Sequence, residues 1–506
     1  MSLQAHIHLD SHFSVGTVNP RLFGSFVEHL GRCVYTGVYE PGHPTADADG
    51  LRGDVLALIR ELGVTMVRYP GGNFVSGFRW EDSVGPAGER PRRLDPAWRT
   101  IETNQFGLAE FARFTQTAGV EPMMAVNLGT RGLPEAADLL EYANHPAGTQ
   151  WSDLRRLHAE LAGRDGDPFG IRLWCLGNEM DGPWQMGHKT AGEYGRLAAE
   201  TAKLMRLIDP DLELVVCGSS NASMPTFGEW EATVLGHTYD VVDHISLHTY
   251  YDPLAHDLDS FLASAQDMET FIEGVAATCD AVKARLHSAK TMQLSFDEWN
   301  VWSMSRMTPD MGAWAEAPPL LEDVYTAADA VVVGSLLITL LRHCDRVTAA
   351  CLAQLVNVIA PIMTEPGGPA WRQTIFHPFA QAARHGQGEV LRLAITSPEH
   401  DTARFGSVPL LHATAVRGRD GHLTIFAVNR STTQPLTVTV DLGDLPATGP
   451  VTHSFLTDAD PLAVNTAAQP DRVTPTIAGP ILPDGRLLSA QLPAMSWNVF
   501  RVPVGS

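Results

Sequence analysis

The stretch Asp54-Val55-Leu56-Ala57-Leu58-Ile59-Arg60-Glu61-Leu62-Gly63-Val64-Thr65-Met66-Val67-Arg68-Tyr69-Pro70-Gly71-Gly72 changes its periodicity halfway along. Val55, Leu58, Ile59 and Leu62 fall at i, i+3, i+4 and i+7, one face of an amphipathic helix. Asp54 is placed to cap that helix, and Gly63 to end it in the left-handed conformation that glycine takes easily. Residues 64–69 then read as an extended strand that stops at Pro70-Gly71-Gly72. A helix hands over to a strand.

The unit recurs. Leu108, Phe111, Ala112 and Thr115 face one way before Gly119, and residues 122–126 follow as a strand. Residues 172–177 form another, after which Thr190-Ala191-Gly192-Glu193 is a capping box for a long helix ending before Pro210. Strand-like runs at 22–26, 212–217, 242–247, 292–296 and 347–355 bring the count to about eight, the number of a (β/α)8 barrel of roughly 250 or more residues. A doubly wound sheet fits the alternation nearly as well, but no G-x-G-x-x-G follows a strand and the number of units favours the barrel.

Beyond about residue 385 the texture changes. Residues 412–416, 423–429, 436–442 and 496–502 alternate in period two, with turns such as Asp420-Gly421 between runs. That pattern predicts an antiparallel, jelly-roll-like β-sandwich. Residues 5–15 alternate as well and precede the barrel. The expected organisation is therefore α/β: 1–18 pairing into the sandwich, 19–384 the catalytic TIM barrel, and 385–506 the C-terminal sandwich.

Bulk properties narrow the function. A chain of 506 residues is too long for one ordinary core, and 44% hydrophobic with 19% charged residues is a soluble globular composition. Acidic residues outnumber basic ones, 58 to 36, for a net charge of -22. Such a surface repels phosphate backbones and anionic lipid, so neither nucleic acid nor membrane is an expected partner. A neutral sugar is unaffected. The most apolar stretch, residues 330–341, is about a dozen long against the roughly 20 that span a bilayer, so a buried helix is expected there. The N-terminal residues lack the basic start and apolar run of a secretory signal, and six cysteines are scattered without a CxxC pair. Reduced thiols and a cytoplasmic location follow as expectations.

Barrel active sites lie at the C-terminal ends of the strands. Arg172-Leu173-Trp174-Cys175-Leu176-Gly177 ends in Asn178-Glu179, and Met292-Gln293-Leu294-Ser295-Phe296 ends in Asp297-Glu298-Trp299. Glycosidic cleavage needs two carboxyl groups, one to protonate the leaving oxygen and one to attack or to activate water. A single such Glu also reads as a solvated loop residue. Two at equivalent places, each beside an aromatic and a small amide or acid, point to catalysis. Asp297 rivals Glu298, because alternation puts the two on opposite strand faces and does not say which faces the axis. His244 and His248 share a face, but with no third ligand and no H-E-x-x-H no metal is expected. Nor is a cofactor expected. No G-x-S-x-G supports a serine hydrolase.

The two strand-end segments, extended through Met180-Asp181-Gly182-Pro183-Trp184-Gln185 and Asn300-Val301-Trp302, resemble the active-site motifs of glycoside hydrolase family 51. The similarity runs on through Phe23-Gly24-Ser25-Phe26-Val27-Glu28-His29, Arg68-Tyr69-Pro70-Gly71-Gly72-Asn73-Phe74, Ser246-Leu247-His248-Thr249-Tyr250-Tyr251 and Gln354-Leu355-Val356-Asn357. These motifs span the expected barrel in order. The family consists chiefly of α-L-arabinofuranosidases, in clan A, whose catalytic Glu residues follow strands four and seven. The resemblance implies Glu179 as acid/base and Glu298 as nucleophile of a retaining, exo-acting enzyme. It implies that Glu28, Asn73, Asn178, Tyr250 and Gln354 contact the furanose, with Trp302 nearby and His248 supporting the catalytic pair. Asn73 is the position where relatives also carry Cys. Singly, Asn73 also fits a turn, Tyr250 a packed strand-end aromatic, and Gln354 a satisfied core amide. The implied substrates are terminal arabinofuranosyl residues of arabino-oligosaccharides, arabinan or arabinoxylan fragments, and the implied assembly is a homo-oligomer, a hexamer. The rival readings are an endo-β-1,4-glucanase or β-xylosidase using the same carboxylates, and an inactive sugar-binding protein.

Overall fold

A computed structural model describes residues 3–307 and 314–505. Eight parallel strands close a barrel: β1 (Gly24–Phe26), β2 (Met66–Tyr69), β3 (Glu121–Val126), β4 (Leu173–Leu176), β5 (Glu213–Val216), β6 (His244–Tyr251), β7 (Gln293–Val301) and β8 (Val347–Leu352). Helices connect them on the outside. Phe26, Met66, Met123, Leu173, Cys175, Val215 and Cys351 form a buried cluster of their own, built from these strands. That cluster packs the barrel interior and leaves its C-terminal mouth for polar groups.

The helix Gly53–Leu62 buries Val55, Leu58, Ile59 and Leu62, and ends at Gly63 with φ 79°, whose N–H bonds to the Ile59 carbonyl. Its start differs from the expectation. Arg52 occupies the cap position and Asp54 lies inside the first turn, where it accepts from the Arg52 guanidinium and from the Val55 N–H. An acid there still suits the positive end of the helix dipole. The long helix of the fourth unit, Ala191–Ile208, has Thr190 as its cap, its Oγ1 accepting from the Glu193 N–H at 3.4 Å. Strand limits also move. β1 begins only at Gly24, because Pro20–Phe23 is a 3-10 turn capped by the Asn19 side chain. β6 and β7 run on to Tyr251 and Val301, carrying polar residues that a search for apolar runs cuts off.

The β portion has two sheets. One joins Leu3–His8 to Ala394–Thr396, Leu436–Asp441 and Leu487–Leu492; the other holds seven strands, among them Leu411–Gly418, His422–Asn429 and Ser496–Pro503. Leu3–His8 pairs in parallel with Leu436–Asp441, so the sandwich is not antiparallel throughout. A strand contributed from the far end of the chain needs no hairpin, and its direction is free.

Between barrel and sandwich lies the helix Ala327–Arg342, buried from Ala327 to Leu341. It is apolar all round because it packs on protein from both sides. Among the described residues no helix is long and apolar enough to cross a membrane. Gly334 lets this helix meet the sandwich: a Cβ there lies 2.4 Å from Cε3 of Trp497. Trp497 is itself fixed, stacked on Phe426 and donating to Gln381 at 2.8 Å. Gly334→Ala is expected to destabilise by about 1–3 kcal/mol through overpacking. Denaturant unfolding checks this, and a variant as stable as the parent means the interface yields more than its packing implies.

Candidate active site

The polar residues gather at one end of the barrel. Glu28 follows β1, Arg68 lies in β2 with Gly71, Gly72 and Asn73 after it, and Asn178-Glu179 follow β4. His248 and Tyr250 lie in β6, Asp297 and Glu298 in β7, Trp302 just beyond it, and Gln354 after β8. A pocket of 680 Å³ opens there, lined among others by Glu28, Asn73, Glu179, Tyr250, Glu298, Trp302 and Gln354. Asn178 and His248 are buried behind that lining, His248 against Glu179 and Asn178 against Arg68. Trp302 meets Tyr250 edge to face, with ring centroids 5.1 Å apart.

Glu179 takes φ 44°, left-handed for a residue with a side chain, directly after the turn through Gly177 at φ 93° and Asn178. Such a conformation costs of order 1–3 kcal/mol and persists where surrounding contacts hold it. Here Trp184 Nε1 donates to Glu179 Oε2 at 2.7 Å, and His248 Nδ1 lies 3.0 Å from Oε1. Glu298 is held differently. Arg68 Nη1 donates to its Oε1 at 2.6 Å and the Tyr250 hydroxyl to its Oε2 at 2.8 Å. A carboxylate oxygen of Glu179 and one of Glu298 lie within 4.8 Å of each other.

The expectation that only one of Asp297 and Glu298 faces inward is overturned. Ser246 pairs with Ser295, whereas His248 pairs with Glu298, so β7 carries one extra residue between these points. The register with β8 shifts over the same residues. A bulge of this kind breaks the period of two and turns consecutive side chains toward one region. Asp297 thus lies beneath the pocket, Oδ1 2.9 Å from His248 Nε2 and Oδ2 3.7 Å from Arg68 Nε. Glu298 lines the pocket. Both carboxylates converge on Arg68.

The electrostatics separate the acids. Burial pushes Glu179 above the ordinary carboxylate range and the charge of Glu298 adds to this, against the opposing bonds from His248 and Trp184. Burial also acts on Asp297, but the Arg68 guanidinium and the His248 bond outweigh it and hold its carboxyl low. For His248, burial disfavours the imidazolium; the charge on Glu298 and the bonds to Asp297 and Glu179 win and take it up to about 10. Glu28 is raised to about 8, chiefly by burial, although the Phe74 N–H and the Trp98 indole both donate to it.

Glycines permit this crowding. A Cβ at Gly72 meets Glu298 Oε1 at 3.2 Å and Glu28 Oε2 at 3.3 Å. Gln354 Nε2 donates to Glu28 Oε2 at 3.1 Å, while its Oε1 has no partner among the described residues. Asn178 Oδ1 accepts from Arg68 Nη2 at 2.6 Å, and its Nδ2 is likewise unpartnered among the described residues. Asn73 opens the 3-10 turn Asn73–Ser76 and also lines the pocket. His244 does not join His248: its Nε2 faces Thr348 Oγ1 at 3.0 Å. The ligand-type atoms of Glu179, His248 and Glu298 come close, yet the hydrogen bonds above already engage them.

Sequence reasoning missed Arg68, Trp98 and the bond made by Trp184. Arg68 had a signal, a lone charge inside an apolar strand. Trp98 had none, since it arrives from the long irregular connection after β2.

A (β/α)8 barrel with paired glutamates at the ends of its fourth and seventh strands defines a glycoside hydrolase. The sequence pattern described as the α-L-arabinofuranosidase 1 domain matches residues 58–269, and that described as the α-L-arabinofuranosidase C-terminal domain matches residues 297–496. An intracellular exo-α-(1→5)-L-arabinofuranosidase of Streptomyces lividans is 67% identical over 98% of this chain and 75% of its own length. An exo-α-(1→6)-L-arabinofuranosidase of Bifidobacterium longum is 55% identical over 99% of this chain and 97% of its own. The structure of a family 51 α-L-arabinofuranosidase from Bifidobacterium longum superposes with a TM-score of 0.94 at 49% identity, covering 99% of this chain and all of that one. The chain belongs to the family 51 α-L-arabinofuranosidases.

Proposed function

We propose that this enzyme removes terminal, non-reducing α-L-arabinofuranosyl residues by double displacement, with Glu298 as nucleophile and Glu179 as acid/base. The observation that carries this reading is the contrast between two close carboxyl groups. Glu298, anchored by Arg68 and Tyr250, is held in place to attack the anomeric carbon. Glu179, raised by burial, is set to keep its proton and deliver it to the leaving oxygen. Water then releases arabinose, with Glu179 as base. The approach of one oxygen of each to within 4.8 Å supports the closer carboxyl spacing of retaining enzymes, roughly 5–5.5 Å.

Glu28, Gln354 and Asn73 are assigned to the ring hydroxyls, Asn178 to the hydroxyl beside the reacting carbon, and Trp302 to an apolar face of the sugar. His248, bridging Asp297 and Glu179, is a positioning residue. For linkage we favour α-(1→5) arabino-oligosaccharides, the specificity named for the Streptomyces lividans relative. A cytoplasmic homo-oligomer, a hexamer, belongs to the same reading; sedimentation of the purified enzyme measures its mass.

Two experiments test it. With methanol as acceptor, the expected product is methyl α-L-arabinofuranoside; a β-product overturns retention. In a panel of 4-nitrophenyl substrates, α-L-arabinofuranoside should be hydrolysed far faster than β-D-xylopyranoside, and a soluble β-glucan not at all. Preference for the pyranoside restores the rival reading.

The acid also predicts a pH effect. The Trp184 N–H stabilises the charged form of Glu179, so its removal raises the carboxyl pKa. Trp184→Phe should therefore move the basic limb of kcat/KM to higher pH. A shift to lower pH contradicts the assigned acid.

A further inference from the structure

We infer that the β portion supplies part of the leaving-group subsite, with Arg404 as a determinant of saccharide specificity. The inference rests on the arabinofuranosidase reading. A short hairpin, Glu399–Thr402 paired with Gly406–Pro409, leaves the two main sheets and forms one of its own. Its tip docks on the barrel: the Arg404 N–H donates to Ser260 Oγ at 3.2 Å, and Arg404 Nη2 to Asp267 Oδ1 at 2.9 Å. The guanidinium also lies over the Phe405 ring, 4.9 Å from its centroid. Arg404 and Asp267 line the same 680 Å³ pocket as the two glutamates.

That pocket divides by origin. Glu28, Asn73 and Gln354 come from the ends of β1, β2 and β8, the side assigned to the arabinose ring. Trp184, Ser220, Asn221, Ser223, Asp267 and Arg404 lie beyond the ends of β4, β5 and β6 and on the hairpin. Glu179 follows β4, so its proton is delivered on this second side and the departing saccharide must lie there. A volume of 680 Å³ falls within the roughly 300–1,000 Å³ of sites for ligands larger than one pentose.

The chemistry of this side suits neutral hydroxyls. Arg404 is already charge-balanced by Asp267, so the pair does not recruit an anion. Its side chain is 37% exposed, and among the described residues its Nε and Nη1 donate to no protein group. Those donors, with the small polar side chains Ser220, Asn221 and Ser223, can bind the hydroxyls of a second arabinosyl unit. An aryl leaving group has no such hydroxyls.

The test compares arabinotriose with 4-nitrophenyl α-L-arabinofuranoside. In Arg404→Ala, kcat/KM for arabinotriose should fall about tenfold further than for the aryl substrate, mostly through KM, the loss expected of one charge-assisted hydrogen bond. Arg404→Lys, which keeps a charged donor, should recover part of that difference. Thermal unfolding of each variant separates folding from binding, because misfolding lowers both substrates alike. An unchanged ratio of the two substrates in a folded Arg404→Ala overturns the inference alone. If the parent enzyme hydrolyses neither arabinofuranoside, the underlying reading falls, and the inference with it.

Discussion

Glu298→Ala should lose about 10⁴-fold or more in kcat on 4-nitrophenyl α-L-arabinofuranoside, because no covalent intermediate can form without the attacking carboxylate. Azide added to this variant should enter the space vacated beside Arg68 and Tyr250 and attack from the nucleophile's side. The expected product is the β-arabinofuranosyl azide. Glu179→Ala should behave in the opposite sense. It should still be arabinosylated by substrates with good leaving groups, lose the basic limb of its pH profile, and give the α-azide. The paired outcome matters more than either loss of rate, since any damaged site is slow. Glu298→Ala that retains substantial turnover, or an α-azide from it, would remove Glu298 as nucleophile and return Asp297 to consideration.

The second large effect is expected at Arg68. Its guanidinium is 1% exposed, bonded to Glu298 at 2.6 Å and to Asn178 at 2.6 Å, and lies 3.7 Å from Asp297. Arg68→Met keeps much of the volume and removes the guanidinium that the two buried carboxylates share, leaving them only the His248 imidazolium. Breaking a buried pair in this way costs about 3–5 kcal/mol, which denaturant unfolding at neutral pH should show. The pH dependence has a definite sign. Arg68 holds Asp297 below its ordinary value of 3.8, so its stabilisation is present above that value and lost as pH falls through the folded-state pKa. The gap between parent and variant should therefore narrow in acid. Equal stability at neutral pH would show that the carboxylates find another partner.

The placement of Glu179 and Glu298 was legible because barrel strands announce themselves as apolar runs, and whatever polar residue follows each run lies at the mouth. The same logic holds for Glu28, Tyr250 and Gln354. It fails where a side chain reaches the site from an irregular segment. Trp98 comes from such a connection and donates to Glu28 all the same. Trp184 was visible in its motif, but its bond to Glu179 depends on a turn geometry that no periodicity encodes.

The sequence by itself determined the barrel, the terminal β domain and the helix between them, because burial periodicity is a local property of the chain. It also determined that two carboxylates stand at corresponding strand ends. Only the tertiary structure decided what distinguishes them. Asp297 and Glu298 enter the same site because an extra residue in β7 breaks strand alternation, and pairing register belongs to two strands rather than one. The counter-charge at Arg68, the raised Glu179 and the imidazolium at His248 arise from groups distant in sequence and packed together away from water, where their fields are strong.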